Sequence, residues 1–374
     1  MGNITLVMLC AGSSSRFGLS AKKQWLRTEH NPLWLFVTNK LSSYYDFDKI
    51  IVVSSHHELN YMQNFDDQFH YVAGGQTRQE SMKNALQKVT SEYVMISDVA
   101  RSCVPSHVID ALVSNKGNAD CIVPYLNVSD TVVYEDETIH RENVKLIQTP
   151  QLSKTAKLKE ALNSSKEFTD DSSAIKDAGG TVKYILGDKA SMKLTFDEDL
   201  KHLSCVKAPS NATFVGTGFD IHPFEEGKKM VLGGVEIDVP YGFKAHSDGD
   251  VLIHSLIDAL LGAAGAGDIG EFFPDTDAQY KNIDSKKLLT EIVAFIYSVG
   301  YEIVNVDLTI VAQQPKINPY KHNIKTTISE LLNIPKQCVN IKATTAEKLG
   351  FVGRKEGVAV QSSAALKYYD WKCL

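Results

Sequence analysis

The sequence predicts two unlike domains: an N-terminal α/β domain built on a Rossmann-like, mostly parallel sheet with helices on both faces, and a C-terminal α+β domain. Three observations lead there. At 374 residues the chain exceeds the roughly 150 to 200 residues that one hydrophobic core usually serves. Up to about Tyr184, short β-rich apolar runs alternate with helix-spaced ones, as in a sheet covered on both faces. That pattern weakens after Thr195, and the turn-forming stretch Ala208-Pro209-Ser210-Asn211 precedes a fresh strand pattern at Thr213. The expected division is 1–207, a linker at 208–212, and 213–374.

In the first domain, residues 4–9, 50–53, 93–97 and 121–125 are apolar runs expected as strands buried on both faces. Between them, 33–41, 79–89 and 108–113 carry apolar residues at helical spacing, and 196–200 reads as a last helix. In such sheets ligands sit beyond the carboxyl ends of strands. In the second domain, 213–218 reads as a strand, followed by a Gly-rich region and a helix over 250–261. Further helices are expected at 285–299 and 322–332, and further strands at 303–312, 339–343 and 358–366.

Apolar content of 43%, charged content of 22% and a net charge of -6 describe a soluble globular protein with no general attraction for nucleic acid. Basic groups that hold an anionic substrate must then be local. No apolar run is long enough to span a bilayer, so no membrane partner is expected. Six cysteines lie scattered, without CxxC pairs or the spacing of a disulfide framework, which fits a reducing, cytoplasmic setting.

The first strand runs directly into Leu9-Cys10-Ala11-Gly12-Ser13-Ser14-Ser15-Arg16-Phe17-Gly18, and Lys22-Lys23-Gln24 follows. Small residues let backbone N–H groups approach a ligand closely, and successive N–H groups form an anion-binding concavity. Arg16 and Lys23 would add positive charge over a triphosphate. No Gly-Lys-Ser/Thr closes the loop, so it is not a P-loop. On its residues alone it reads equally as an anion site or as a plain surface turn.

The stretch resembles the L-x-A-G-x-x-x-R and K-Q signature of nucleotidyltransferases, and more closely that of the 2-C-methyl-D-erythritol 4-phosphate cytidylyltransferases. Gly74-Gly75-Gln76-Thr77-Arg78-Gln79-Glu80-Ser81, Ser97-Asp98-Val99-Ala100-Arg101, Asp130-Thr131, Thr149-Pro150-Gln151, Thr169-Asp170-Asp171 and Met192-Lys193-Leu194-Thr195 follow in that family's order. The resemblance implies that Ala11, Gly12, Gly75, Arg78 and Ser81 hold the cytidine of CTP. It implies that Arg16, Lys23 and Lys193 surround the triphosphate, and that Asp98, Arg101, Thr131, Arg141 and Thr169 orient methylerythritol phosphate. The substrate phosphate would attack the α-phosphorus and release pyrophosphate, with Mg²⁺ or Mn²⁺ between phosphates. Because that phosphate is already ionised, the protein's work is positioning and neutralising charge. Cys10, Ser14, Val99 and Ser102 depart from the common Ala, Gly, Ala and Pro, which bears on the loop's conformation more than on the reaction.

In the second domain Asp220 and His222 lie two apart at a predicted strand end, hence on one face, and His254 falls inside the next helix. Two imidazoles and a carboxylate leave a tetrahedral position open, as in catalytic zinc sites. Asp-x-His alone reads more often as a capped strand end. Asp250 and Asp258 stand one helical turn to either side of His254 and are expected to orient its imidazole.

Gly218-Phe219-Asp220-Ile221-His222, His246-Ser247-Asp248-Gly249-Asp250, Asp258-Ala259-Leu260-Leu261-Gly262, Gly267-Asp268-Ile269-Gly270, Phe273-Pro274-Asp275-Thr276-Asp277 and the run from Lys342 to Phe351 resemble the 2-C-methyl-D-erythritol 2,4-cyclodiphosphate synthases. The resemblance implies a fold of that type, with zinc on Asp220, His222 and His254 and a second cation, Mg²⁺ or Mn²⁺, on Glu347. His246 and Ser247 would contact the terminal phosphate, and Asp268 with Gly270 the methylerythritol. Ala312, Pro315, Lys316, Thr344, Thr345, Phe351 and Arg354 would line the nucleotide pocket. Asp258 and Asp275 stand at catalytic positions, and each reads equally as a helix or turn cap. The 2-phosphate would attack the β-phosphorus, release CMP and close a cyclic diphosphate. Ala346 departs from a common Thr.

The first family resembles dimers and the second homotrimers, which implies self-association into a closed hexamer or a similar assembly. The two steps are not consecutive, so a separate kinase must phosphorylate the first product. Two other readings are a nucleotidyltransferase acting on a sugar phosphate with UTP or another base, and a non-catalytic scaffold in one half. Asp98, Arg141 and Thr169 weigh against the former, and intact Lys23, Lys193, Asp220, His222, His254 and Glu347 against the latter.

Overall fold

The computed structural model describes residues 3–373 other than 246, 275, 277–279 and 281–282. The chain forms two compact units, Met1–Pro209 with Asp370–Leu374, and Ser210–Tyr369.

The first unit is built on an eight-stranded sheet. Its order is Lys145–Ile147, Cys121–Asn127, Gln151–Lys154, Tyr93–Asp98, Ile4–Leu9, Lys49–Ser54, His70–Ala73, with Val182–Leu186 also paired to Cys121–Asn127. Ile4–Leu9 lies parallel to both its neighbours, whereas Gln151–Lys154 and Lys145–Ile147 run antiparallel to theirs. These two short strands carry no apolar run and escape the sequence pattern. Ile4, Leu6, Val7 and Met8 are fully buried because helices cover both faces. The helix Arg78–Leu86 begins at a capping box in which the Thr77 hydroxyl accepts from Glu80 N–H while the Glu80 carboxylate reaches back. The helix expected at 196–200 forms instead as a 3₁₀ segment, Asp197–His202.

Contrary to the reading of the cysteines, Cys103 and Cys205 form a disulfide across a separation of 102 residues. Spacing could not reveal it, because the fold alone brings together the loop after Tyr93–Asp98 and the segment that follows the 3₁₀ turns. Trp25, Trp34 and Trp371, the three tryptophans of the chain, are all buried in this unit. Trp371 Nε1 donates to the Arg27 carbonyl at 2.7 Å.

The second unit has a five-stranded sheet ordered Tyr241–Phe243, Thr213–Glu226, Gly357–Tyr368, Tyr301–Val311, Val339–Thr344. Only the last pair is parallel. The apolar helix Val251–Ala264 lies against Thr213–Glu226, and two glycines permit the contact. A Cβ on Gly216 would fall 2.1 Å from the Ala259 carbonyl oxygen, and one on Gly218 2.0 Å from that of Ser255. The strand runs on to Glu226, well past residue 218, so Asp220 and His222 stand within it on one face. Among the described residues no helix is long and apolar enough to cross a membrane.

Candidate active sites

A cavity of about 680 Å³ opens beyond the carboxyl ends of Ile4–Leu9, Lys49–Ser54 and Tyr93–Asp98. Ala11, Gly12, Arg16, Lys23, Gly75, Arg78, Ser81, Asp98 and Lys193 all line it. Ser14 adopts a left-handed φ of 58°, the conformation that a glycine takes freely, and its hydroxyl accepts from Lys23 N–H at 3.1 Å. Gln24 Nε2 donates to the Gly12 carbonyl at 3.0 Å. Buried Glu58 accepts from Lys22 Nζ, and from Trp25 Nε1 at 2.7 Å. Glu58 is a fastening the sequence reading missed, because its partners lie far away in the chain.

Lys23, Arg16 and Lys193 converge at this cavity. Burial, then the charges of Arg16 and Lys193, lower the Lys23 pKa, so the ammonium sits in a field that favours an anion. Lys193 Nζ lies 2.7 Å from Asp98 Oδ2, and Arg78 bridges Asp98 and Asp171 at 3.1 Å each. Burial acts to raise the Asp98 pKa, but Arg78 and Lys193 outweigh it and hold the carboxyl well below its usual range. Burial pushes Asp171 up to about 6. Arg101 donates to the carbonyls of Ser191 at 2.7 Å and Ile147 at 3.1 Å, outside the cavity lining. Thr131, Arg141 and Thr169 are exposed and do not line it either; Arg141 donates to the Ser129 carbonyl at 2.6 Å.

In the second unit, ligand atoms of Asp220, His222 and His254 all lie within 4.8 Å of one another. Asp220 Oδ2 is 3.2 Å from His222 Nε2 and 3.4 Å from His254 Nδ1. The other ring nitrogens are engaged: His222 Nδ1 with the Gly249 carbonyl at 2.8 Å, and His254 Nε2 with Ser285 Oγ at 2.9 Å and Ser247 Oγ at 3.2 Å. Burial would raise the Asp220 pKa, but the two histidines outweigh it and lower it. Burial would lower that of His254, and Asp220 raises it instead.

The expectation that Asp250 and Asp258 orient His254 is overturned. Asp250 is fully buried and accepts from the N–H groups of Gly233 at 2.8 Å, Gly234 at 2.6 Å and Ile253 at 3.1 Å. Asp258 accepts from Ile269 N–H at 2.9 Å. Helical spacing shows which residues share a face, but backbone donors claim both carboxylates: Asp250 caps its own helix through Ile253 N–H and holds the Gly233–Gly234 turn, and Asp258 takes the first N–H of the next helix.

Asp268 caps the short helix that contains Gly270, accepting from Glu271 N–H at 3.2 Å. Parallel strand pairing places Ala312 beside Thr344, with Ala312 N–H donating to the Thr344 carbonyl at 2.9 Å. Thr345 Oγ1 donates to Glu347 Oε1 at 2.5 Å, and Glu347 is exposed with a left-handed φ of 48°. Pro315 follows a cis peptide bond, Lys316 is exposed, Phe351 is half-buried, and Arg354 pairs with Glu356 at 2.7 Å. His246 and Asp275 lie outside the described residues.

Residues 4–206 match the family described as 2-C-methyl-D-erythritol 4-phosphate cytidylyltransferase, and residues 213–367 match the YgbB family. The bifunctional enzyme IspD/IspF of Aliarcobacter butzleri is 66% identical, covering 100% of both chains. That of Sulfurimonas denitrificans is 55% identical over 98% of this chain and 95% of its own. The solved structure of the bifunctional IspDF from Campylobacter jejuni superposes with a TM-score of 0.88 at 49% identity, covering 99% of each chain. The chain belongs to the bifunctional IspD/IspF enzymes. As an IspD/IspF enzyme it carries two activities, a 2-C-methyl-D-erythritol 4-phosphate cytidylyltransferase and a 2-C-methyl-D-erythritol 2,4-cyclodiphosphate synthase, both of the non-mevalonate route to isoprenoid precursors.

Proposed function

We propose that residues 1–207 perform cytidylyl transfer in the first cavity, that 213–374 perform cyclisation at the Asp220–His222–His254 cluster, and that 208–212 link them. The convergence of Arg16, Lys23 and Lys193 on one cavity carries the first assignment. The loop N–H groups and these cations hold the triphosphate of CTP, while Ala11, Gly12, Gly75, Arg78 and Ser81 surround the cytidine. Asp98 and Arg101 orient the methylerythritol phosphate, whose oxygen forms a bond to the α-phosphorus as the bond to pyrophosphate breaks. Thr131 and Arg141 flank an exposed apolar hairpin bearing Val133, Tyr134 and Ile139. A transferase dimer formed through that hairpin is the assembly in which these two, with Thr169, would reach a substrate. Exposed Val215, Phe219 and Ile221 on one strand support self-association of the cyclase unit as well, as a trimer and hence a hexamer of the whole chain.

At the cyclase site, two imidazoles and a carboxylate with inward-facing donor atoms fit zinc with an open position. When bound, zinc supplies Lewis acidity to the β-phosphate. Glu347, with Thr345 holding one of its oxygens, would hold Mg²⁺ or Mn²⁺, and the transferase cavity would take the same kind of ion between phosphates. His246 and Ser247 position the 2-phosphate, Asp268 and Gly270 the methylerythritol, and Ala312, Pro315, Lys316, Thr344, Thr345, Phe351 and Arg354 the cytidine portion. Asp258 acts through its cap, and Asp275 takes the catalytic role that the resemblance implies. A separate kinase makes the second substrate. Assay of the purified chain with CTP, with UTP and with the diphosphocytidyl 2-phosphate, before and after chelation, tests these roles. Equal use of UTP, or cyclisation undiminished by chelation, would contradict them.

A further inference from the structure

Two hydroxyls lie within hydrogen-bond distance of His254 Nε2, Ser247 at 3.2 Å and Ser285 at 2.9 Å, and the shorter contact comes from a different helix. Ser285 opens the helix Ser285–Ser298, and its side chain is fully buried. Its Oγ lies 2.9 Å from His254 Nε2 and donates to Asp248 Oδ1 at 2.5 Å. Since the hydroxyl proton is committed to the carboxylate, the oxygen can only accept from the ring, so Nε2 carries the hydrogen and Nδ1 keeps its lone pair. Nδ1 is the atom that faces Asp220. Asp248 is itself fastened: Oδ2 accepts from Ser285 N–H at 3.1 Å, and its own N–H donates to the Ile283 carbonyl at 3.2 Å.

We infer that Ser285 and Asp248 form a hydrogen-bonded relay that fixes the tautomer and orientation of His254 as a metal ligand. The inference rests on the reading of Asp220, His222 and His254 as the zinc ligands. Neither Ser285 nor Asp248 touches the metal position, so both are positioning residues. The His222 ring needs no such relay, because the rigid Gly249 carbonyl fixes it directly. The two histidines therefore reach the same state by different routes, one backbone and one through a serine that the fold must bring from 31 residues away.

The test is the zinc affinity of the full chain, measured by competition with a chromophoric chelator. Partners of metal-bound histidines typically contribute 10- to 100-fold in affinity, so Ser285→Ala and Asp248→Asn should each weaken zinc by about that factor. The double variant should be no weaker than the weaker single one, because both act through one hydroxyl. The visible spectrum of the cobalt-substituted protein should change in Ser285→Ala, while the metal-free protein stays folded and the cytidylyl transfer rate stays at the parent value. Zinc held by a folded Ser285→Ala variant within twofold of the parent overturns the relay alone. If Ser285→Ala fails to fold, Asp248→Asn decides by the same criterion. A parent that binds no zinc, or a His254→Ala variant that binds it fully, overturns the ligand assignment and the relay with it.

Discussion

Replacing Cys205 by Ser deletes the bridge to Cys103, and the size of the effect follows from the loop it closes. Cross-linking positions 102 apart removes chain entropy from the unfolded state, worth about 4 to 5 kcal/mol in the chain-entropy treatment. With a urea dependence of about 2 to 3 kcal/mol per molar, the unfolding midpoint should fall by roughly 1.5 to 2.5 M. All three tryptophans belong to the first unit, so their fluorescence follows the unfolding of that unit alone. The parent protein in excess dithiothreitol should lose the same stability as Cys205→Ser, and the variant should be indifferent to reductant. A parent midpoint unmoved by reductant, with both thiols titrating as free in the untreated protein, would refute the bridge itself. A loss below about 1 kcal/mol, with the bond shown intact by thiol titration, would refute the entropic magnitude instead.

Lys23→Ala should lower kcat/KM for cytidylyl transfer by about 10² to 10³ and leave cyclisation unchanged, as steady-state assays of both reactions will show. Asp250→Ala leaves three backbone donors without their acceptor, so the second unit should lose about 3 to 6 kcal/mol. Circular dichroism should register that loss, while the tryptophan-reported midpoint stays put. The folded pKa of Asp98 is depressed, so its contribution to stability is complete above its unfolded value of 3.8 and fades as pH falls through the lower folded value. Lys193→Ala should therefore destabilise the first unit most near neutral pH, and urea midpoints that differ equally at about pH 7 and about pH 2 would contradict the pairing. Light scattering of the purified chain at micromolar concentration should give a mass of several subunits, and a monomer would count against the hairpin and strand surfaces as interfaces.

The placement of candidate residues that sit in short runs was legible in the sequence. The loop from Ala11 to Arg16 and the pair Asp220 and His222 are local, and each lies where the strand it follows or belongs to delivers it. Residues that act by holding others were not. Glu58, Ser285 and the cysteine pair meet their partners only after folding, and no spacing announces them. Asp250 shows the opposite failure: a correct helical face led to the wrong partner, because three buried backbone N–H groups take up both oxygens of the carboxylate. The antiparallel strands Lys145–Ile147 and Gln151–Lys154 were missed for a third reason, since Lys, Gln and Ser in three- and four-residue strands leave no periodic trace.

The assignment of Asp370–Leu374 to the first unit makes that unit discontinuous along the gene. A ribosome adds Trp371 only after every residue of Ser210–Tyr369, so the transferase unit spends most of its synthesis without an indole that it finally buries almost completely. Leaving so large a side chain out of its place costs about 3 to 5 kcal/mol. A gene divided after residue 209 would then encode a transferase that is permanently missing this piece, even though the cut severs no strand or helix. The two activities are in this sense less separable than their chemistry: an ancestral or engineered fission of the chain would have to replace what the far end of the second coding half supplies to the first.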